Sequence, residues 1–146
     1  MENDDNEKLY RRLIEEVFNQ GRMEVADELV APGAVEHQQS GMGDGAEGVK
    51  RVATTLRNAF PDFTLTIEDL VVDGDQVWAR QRGGGTNRGS FFGHPPTGKT
   101  GFIEVFDVVR FADGKMVEHW GVPDQLSMLI QLGLVAAPRR PSPAQV

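Results

Sequence analysis

An aspartate and a histidine near the end of the last predicted strand are the side chains best suited to proton transfer. Asp124 follows that strand directly, at a point where a strongly curved sheet packed against helices would open onto a cavity. Burial in an apolar cavity raises the pKa of a carboxylate and makes it a better base. His119 shares a strand face with Val117 and Gly121, from which it would reach a substrate oxygen. We predict that Asp124 and His119 are the catalytic residues.

Both residues also have a structural interpretation. Asp124 opens the final predicted helix, and aspartate is a favoured N-cap residue because its carboxylate accepts a backbone N–H bond. His119 is equally compatible with a hydrogen-bonded core histidine. The sequence alone leaves these alternatives open.

A second set of ionisable residues lies around the longest predicted strand. Glu104 shares one face of this strand with Phe106, and Asp107 takes the opposite face. A buried acid needs a partner, and Arg80 on the neighbouring strand is a candidate. Arranged around a water, Arg80, Glu104 or Asp107 would suit an epoxide or ester hydrolase. The alternative is a structural ion pair or a solvated sheet face.

Further residues are expected to contact a small hydrophobic substrate. They are aromatic or polar side chains close to the predicted cavity: His37, Trp78, Arg80, Phe92, Glu104, Phe106 and Trp120. The simpler alternatives are a surface position for His37 and a place in the core for the tryptophans.

Hydrophobic periodicity predicts the elements that carry these side chains. Helical spacing predicts three helices, and after Pro61 the period changes from 3.6 to 2, which is typical of strands. The predicted helices cover residues 6–20, 23–30 and 45–60, and a short strand covers 35–38. Four further strands are predicted over 63–72, 76–82, 101–111 and 116–122, before a helix over 124–132. Helices followed by a run of antiparallel strands indicate an α+β fold.

Composition favours one ordinary globular domain. The chain has 146 residues, of which 39% are hydrophobic and 25% charged. We expect a domain over residues 1–136 and a proline-rich, disordered tail over 137–146. No apolar run approaches the length of a membrane span and the first residues are acidic, so we expect a cytoplasmic protein that binds no membrane.

Charge and motifs exclude several function classes. A formal net charge of −7 argues against a nucleic-acid partner. The chain has no cysteine, and its three histidines are not spaced as metal ligands, so no metal is expected. The glycine run at 83–85 precedes no helix and is not a phosphate-binding loop.

An ordered set of short segments resembles a known family. The segments are Asp27–Pro32, Val35–His37, Asn58–Phe63, Glu68–Asp75, Phe92–Gly98 and Asp113–Asp124. In order and spacing they resemble the SnoaL-like ester cyclases of the nuclear transport factor 2-like superfamily. The resemblance covers roughly residues 7–135.

This resemblance implies a fold and an activity. The fold would be a cone in which a curved antiparallel sheet wraps around the three N-terminal helices and encloses a central pocket. The activity would be a cofactor-independent, intramolecular aldol-type cyclisation or isomerisation of an apolar, carbonyl-rich, polyketide-like substrate, with a late aspartate as acid–base. It also implies a homodimer through the outer sheet face. Because the superfamily is broad, a hydrolase and a non-catalytic hydrophobic-ligand or interaction module remain alternatives.

Overall fold

The computed structural model describes residues 2–145, beginning with a long N-terminal helix. Helix α1 (Glu2–Arg12) continues into a π-helical segment (Leu13–Asn19), in which the backbone N–H of Gln20 reaches back to the carbonyl of Glu15 at 3.0 Å. The apolar side of this helix is buried because its residues recur at helical spacing. Its buried side chains include Tyr10, Leu13, Ile14 and Val17.

The next segment differs from the sequence prediction. Helix α2 (Glu24–Leu29) is followed at once by strand β1 (Val30–Glu36), where a helix to residue 30 and a strand over 35–38 were predicted. The strand passes through Pro32, which cannot donate a ladder hydrogen bond, and proline is tolerated only at a sheet edge. Strand β1 occupies such an edge position.

Helix α3 (Gly45–Ala59) was predicted correctly, but its start is built differently. Asp44 holds the N-cap position without a side-chain capping bond. Its Oδ1 instead accepts the backbone N–H of Glu36 at 2.8 Å. Asp44 therefore fixes the end of β1 rather than the first turn of α3.

Five strands form one mixed sheet in the order β1-β5-β4-β3-β2. The strands after β1 are β2 (Thr64–Asp73), β3 (Gln76–Thr86), β4 (Thr100–Ala112) and β5 (Lys115–Pro123). Neighbours within β2–β5 pair antiparallel, as predicted, whereas β1 pairs parallel with β5. Strand β3 continues beyond its predicted end at residue 82 through three glycines, and Gly84 lets the backbone of Gly101 approach too closely for a side chain.

The two faces of the sheet differ in what covers them. Directly paired residues share a face, so Val77 and Val109 lie together on the inner face. Both are buried in one core with the apolar residues of the helices. Trp78, between inward-facing neighbours, points to the outer face and is half exposed. The predicted α+β architecture, with helices against one sheet face, is confirmed.

The chain after β5 adds one short helix. Helix α4 (Gln125–Gln131) packs against β4, with Met128 and Leu132 buried. The tail has only a 3-10 turn (Pro143–Gln145) within the described residues, and the disorder expected of it stays a prediction. Among the described residues, no helix is long and apolar enough to cross a membrane.

Candidate active site

A histidine and an aspartate meet on the inner face of the sheet. Asp107 pairs with Gly121 across β4 and β5, and His119 is two positions away from Gly121 on the same face. The His119 ring therefore reaches Asp107 diagonally, and its Nε2 lies 3.0 Å from Asp107 Oδ1. The two side chains are only 17% and 11% exposed. They form a polar pair at the margin of an apolar core.

A second carboxylate holds the other nitrogen of the same ring. Glu36 is aligned with His119 by the parallel pairing of β1 and β5. Both of its carboxylate oxygens lie 2.8 Å from His119 Nδ1. The Glu36 side chain is 16% exposed. The imidazole is thus bound between two acids that come from different strands.

The aspartate has two further donors. The Tyr10 hydroxyl donates to Asp107 Oδ2 at 3.0 Å, and the Gln81 amide donates to the same oxygen at 2.7 Å. Both side chains are fully buried. Since a carboxylate only accepts hydrogen bonds, the NH₂ of Gln81 must face Asp107. Its Oε1 is then left buried and has no partner among the described residues.

Gly121 leaves the space that this pair occupies. A Cβ at Gly121 would lie 2.8 Å from His119 Cε1 and 2.9 Å from Asp107 Oδ1. It would also overlap the carboxamide oxygen of Gln38. The missing side chain thus allows Gln38 to lie over the junction of Asp107 and His119.

The surroundings of His119 favour its charged form. Burial lowers the pKa of His119, but the hydrogen bonds to Asp107 and Glu36, with their negative charges, outweigh burial and raise this pKa to about 10. Burial, together with the charge and hydrogen bond of Asp107, raises the pKa of Tyr10 well above its ordinary value. Around neutral pH the cluster holds an imidazolium and a neutral phenol, which are both proton donors.

Asp124 occupies a different environment from the one predicted. Its side chain is exposed, and its Oδ1 accepts the backbone N–H of Ser127 at 3.1 Å. It is the N-cap of α4, the structural alternative that the sequence left open. The hydrogen-bonded partners of His119 are Glu36 and Asp107, so this geometry gives no support to Asp124 as its acid–base partner.

Five residues predicted to contact substrate lie on the outer face instead: Trp78, Arg80, Glu104, Phe106 and Trp120. Arg80 forms the predicted ion pair with Glu104 at 3.2 Å and a shorter one with Asp69 at 2.6 Å. These ion pairs are solvent-exposed, and Asp107 points to the opposite face. The side chains required by the hydrolase alternative therefore do not converge.

His37 and Phe92 also lie apart from the acid–histidine cluster. His37 directly follows β1 and takes the face opposite to Glu36, so its ring stacks on outer-face Trp120 at 4.6 Å and contacts Glu118 at 2.9 Å. His37 therefore does not face the cluster, and its contact with substrate stays a prediction. Phe92 is exposed at a turn, edge-on to Phe91 at 4.6 Å, and its place at a pocket mouth stays a prediction.

The outer face carries a shallow hollow of about 400 Å³. The side chains that line it from this face are mainly apolar: Val71, Trp78, Phe106, Val108, Trp120 and Val122. This is a concave apolar surface, but it lies on the side of the sheet opposite to His119. The central pocket stays a prediction.

Sequence reasoning missed three members of the cluster. Gln81 follows Val77 and Ala79 on the buried face of an alternating strand, and a polar residue at such a position was a usable signal. Tyr10 lies at helical spacing with the apolar residues of α1 and resembles an ordinary core residue. Glu36 gave no signal, because the choice between it and His37 depends on how β1 pairs with β5.

The three ionisable residues of the cluster are not arranged as metal ligands. Although Glu36, His119 and Asp107 are close together, both ring nitrogens of His119 are engaged by the carboxylates. No group of three or more histidine and acidic side chains among residues 2–145 is arranged to hold a metal ion. The cluster as it stands is suited to proton transfer.

Comparison with known proteins identifies the family of this chain. Residues 8–132 match the SnoaL-like polyketide cyclase family. The aklanonic acid methyl ester cyclase DnrD of Streptomyces peucetius is 31% identical over 132 residues, covering 86% of this chain and 88% of DnrD. The aklanonic acid methyl ester cyclase DauD of Streptomyces sp. (strain C5) is 30% identical over 132 residues, covering 86% of this chain and 80% of DauD.

A solved structure supports the same grouping. Wild-type IdmH from Streptomyces antibioticus superposes with a TM-score of 0.77 and 36% sequence identity, covering 88% of this chain and 98% of IdmH. The chain belongs to the SnoaL-like polyketide cyclase family. The predicted family and the predicted cyclase class of enzyme are confirmed, and the hydrolase and non-catalytic alternatives are not favoured.

Proposed function

We propose that Asp107 and His119 are the acid–base pair of an intramolecular aldol cyclisation. The observation that carries this proposal is the 3.0 Å contact between His119 Nε2 and Asp107 Oδ1 at the edge of an apolar core. Such a pair offers a carboxylate base and an imidazolium acid side by side. General acid–base groups placed in this way contribute about 10²–10⁴-fold to a rate.

The proton transfers balance within the pair. Asp107 takes the proton from a carbon between two carbonyl groups, and the C–H bonding electrons become an enolate. The enolate carbon attacks a carbonyl carbon of the same molecule, forming the new C–C bond while the carbonyl π electrons move to oxygen. His119 donates its Nε2 proton to that alkoxide, and protonated Asp107 returns a proton to the ring. The product is an isomer of the substrate.

The names of the relatives and the apolar surroundings of the cluster support a substrate class. DnrD and DauD are named as cyclases of aklanonic acid methyl ester. We propose that this chain takes a compound of the same class, an apolar polyketide ester in which a C–H carbon lies between two carbonyl groups. The two flanking carbonyls make this C–H acidic enough for a carboxylate base, and an apolar body suits apolar surroundings.

Isosteric variants of the two residues test the assignment. With aklanonic acid methyl ester as substrate, Asp107→Asn and His119→Gln are each expected to lower kcat by about 100-fold or more. The control is Glu104→Gln, which also removes a charge from β4 but on its solvent-exposed outer face. Normal turnover by Asp107→Asn, with a folded protein, would reject Asp107 as the base.

We also propose that the outer sheet face pairs with a second copy of this chain. Four apolar side chains on this face are more than a third exposed: Val71 (63%), Trp78 (50%), Phe106 (54%) and Val122 (71%). Positive and negative side chains border these apolar residues as ion pairs. Examples are Arg80 with Asp69 and Arg110 with Glu118. A two-fold interface must complement itself, and an apolar centre with mixed charges at its rim meets that condition.

Light scattering tests the dimer directly. The wild-type protein is expected at twice its chain mass, and Phe106→Arg is expected at the monomer mass because it places a charge in the apolar centre. Glu47→Arg is the control, since Glu47 lies on α3 and is exposed away from this face. A wild-type monomer at micromolar concentration would contradict the proposal.

A further inference from the structure

Glu36, the last residue of β1, is held by hydrogen bonds through both its backbone and its side chain. Its backbone N–H donates to Asp44 Oδ1 at 2.8 Å, and its carboxylate Oε1 accepts the N–H of Gln38 at 2.7 Å. His37, the residue after the strand, donates its N–H to the carbonyl of His119 at 2.9 Å. Backbone bonds on both sides therefore fix the end of β1, and the Gln38 N–H holds the carboxylate itself beside the imidazole.

The two carboxylates determine the protonation of the ring between them. A neutral imidazole has one N–H and one lone pair, whereas an imidazolium has two N–H groups. Glu36 at Nδ1 and Asp107 at Nε2 both present acceptor oxygens within 3.0 Å. A neutral ring would turn a lone pair toward one of these acids. Only the charged ring donates to both.

We infer that Glu36 is a positioning residue of the cyclase, which holds His119 as an imidazolium with its Nε2–H directed at Asp107. This inference rests on the proposed function of Asp107 and His119. Glu36 need not touch the substrate, because its carboxylate acts through the far side of the ring. It keeps a proton on His119 Nε2 for the developing alkoxide, and it keeps the ring charge balanced when Asp107 becomes protonated.

The other groups around His119 leave this role to Glu36. From β4 the ring faces Asp107, and α1 contributes Tyr10, which contacts Asp107 rather than the ring. Gln38, from the segment after β1, presents an uncharged amide beside the ring. On β5 itself, Glu118 points to the opposite face. Once Asp107 has taken the substrate proton, Glu36 is the carboxylate that still balances the imidazolium.

The variant Glu36→Gln keeps the shape of the side chain and removes its charge. The control is Glu47→Gln, which removes a carboxylate that contacts Lys50 at 2.9 Å on α3, away from the cluster and from the outer sheet face. Two quantities are measured in each variant. They are the titration midpoint of His119 by ¹³C and ¹⁵N NMR, and kcat and KM for aklanonic acid methyl ester between pH 5.5 and pH 9.5, a range chosen to span about three units above the ordinary histidine pKa.

Glu36→Gln is expected to lower the His119 midpoint by about 1–3 pH units, the usual effect of an adjacent opposite charge. At pH 8 its kcat should fall by up to about 10-fold while KM changes little, because a midpoint lowered to about 7 leaves only about a tenth of the rings charged at that pH. Lowering the pH should restore much of kcat, because the imidazolium is repopulated. A merely structural role predicts a loss that no pH restores, and Glu47→Gln should match the wild type in both readouts.

Three results would overturn the inference. They are a wild-type His119 midpoint near the ordinary histidine value, an unchanged midpoint in Glu36→Gln, or a kcat–pH profile of this variant that superposes on the wild type. The wild-type titration tests the inference even when Glu36→Gln does not fold. If Asp107→Asn turns over normally, the proposed function itself fails. If Asp107→Asn is inactive and Glu36→Gln is unaffected, only the role of Glu36 fails.

Discussion

Replacing Gly121 by alanine should separate the acid from the histidine without removing either one. The new Cβ would lie 2.8 Å from His119 Cε1 and 2.9 Å from Asp107 Oδ1. Carbon atoms normally approach to about 3.5–4.0 Å, so the side chains must move by about 0.7–1.2 Å. Gln38 can swing away, but Asp107 and His119 are held by their other hydrogen bonds. The 3.0 Å contact between them is therefore the one that lengthens.

The size of the effect follows from that displacement. Overpacking a tight site costs about 1–3 kcal/mol, and a charge-assisted hydrogen bond contributes about 1.5–3 kcal/mol. We expect Gly121→Ala to lose about 2 kcal/mol of unfolding free energy, since the two effects overlap. A misplacement of about 1 Å at reacting groups costs about 100-fold in rate, so kcat should fall by that factor.

The assay compares this variant with Gly33→Ala. Gly33 is an exposed glycine of β1, where an added Cβ meets nothing within 4 Å. Urea unfolding, the His119 titration and kcat for aklanonic acid methyl ester are measured for both variants. Gly33→Ala should match the wild type. A Gly121→Ala protein with wild-type kcat and an unchanged His119 midpoint would refute the reasoning, because the pair would then tolerate the displacement.

Three further predictions concern single residues. The folded-state pKa of His119 (about 10) lies above its unfolded value of 6.5. The free energy of unfolding that this shift contributes is fully present below pH 6.5 and is lost as the pH rises toward 10, by at most about 1.4 kcal/mol per pH unit. Urea unfolding at several pH values should show this slope. The variant His119→Gln should flatten it. Asp124→Ala should lower the free energy of unfolding by about 1 kcal/mol, because α4 loses its N-cap, and should leave kcat nearly unchanged. A 100-fold fall in kcat would restore Asp124 as a catalytic candidate. Tyr10→Phe should lower the unfolding free energy by about 1.5–3 kcal/mol because Asp107 loses a donor, and an unchanged urea midpoint would show that this hydroxyl contributes nothing.

The sequence was sufficient for the regular elements wherever periodicity was long. Helix α3 and strands β4 and β5 were predicted to within one or two residues, because their apolar residues repeat over many positions. The boundary between α2 and β1 was predicted poorly, since Val30 to Pro32 fits a helix end and an edge strand equally well. Local pattern could not choose between them, and only the pairing with β5 did.

The residue types of the site were visible in the sequence, but their partners were not. Period-2 alternation placed His119 and Gly121 on one face and put Asp107 opposite Glu104, and the structure agrees. Alternation cannot tell which of the two faces the helices cover, because that depends on how the whole sheet packs. For this reason Trp78 was predicted to line the pocket, whereas in the structure it lies on the outer face.

The assembly of the acid–histidine cluster was decided by tertiary structure alone. Glu36 and His119 are 83 residues apart, and Tyr10 and Asp107 are 97 apart. These contacts exist because β1 pairs parallel with β5 in one register and α1 packs on the inner face. A shift of one residue in that register would exchange Glu36 for His37, since neighbouring strand residues point to opposite faces. The sequence determined which ionisable side chains the protein has. Strand register determined which of them are in hydrogen-bond contact.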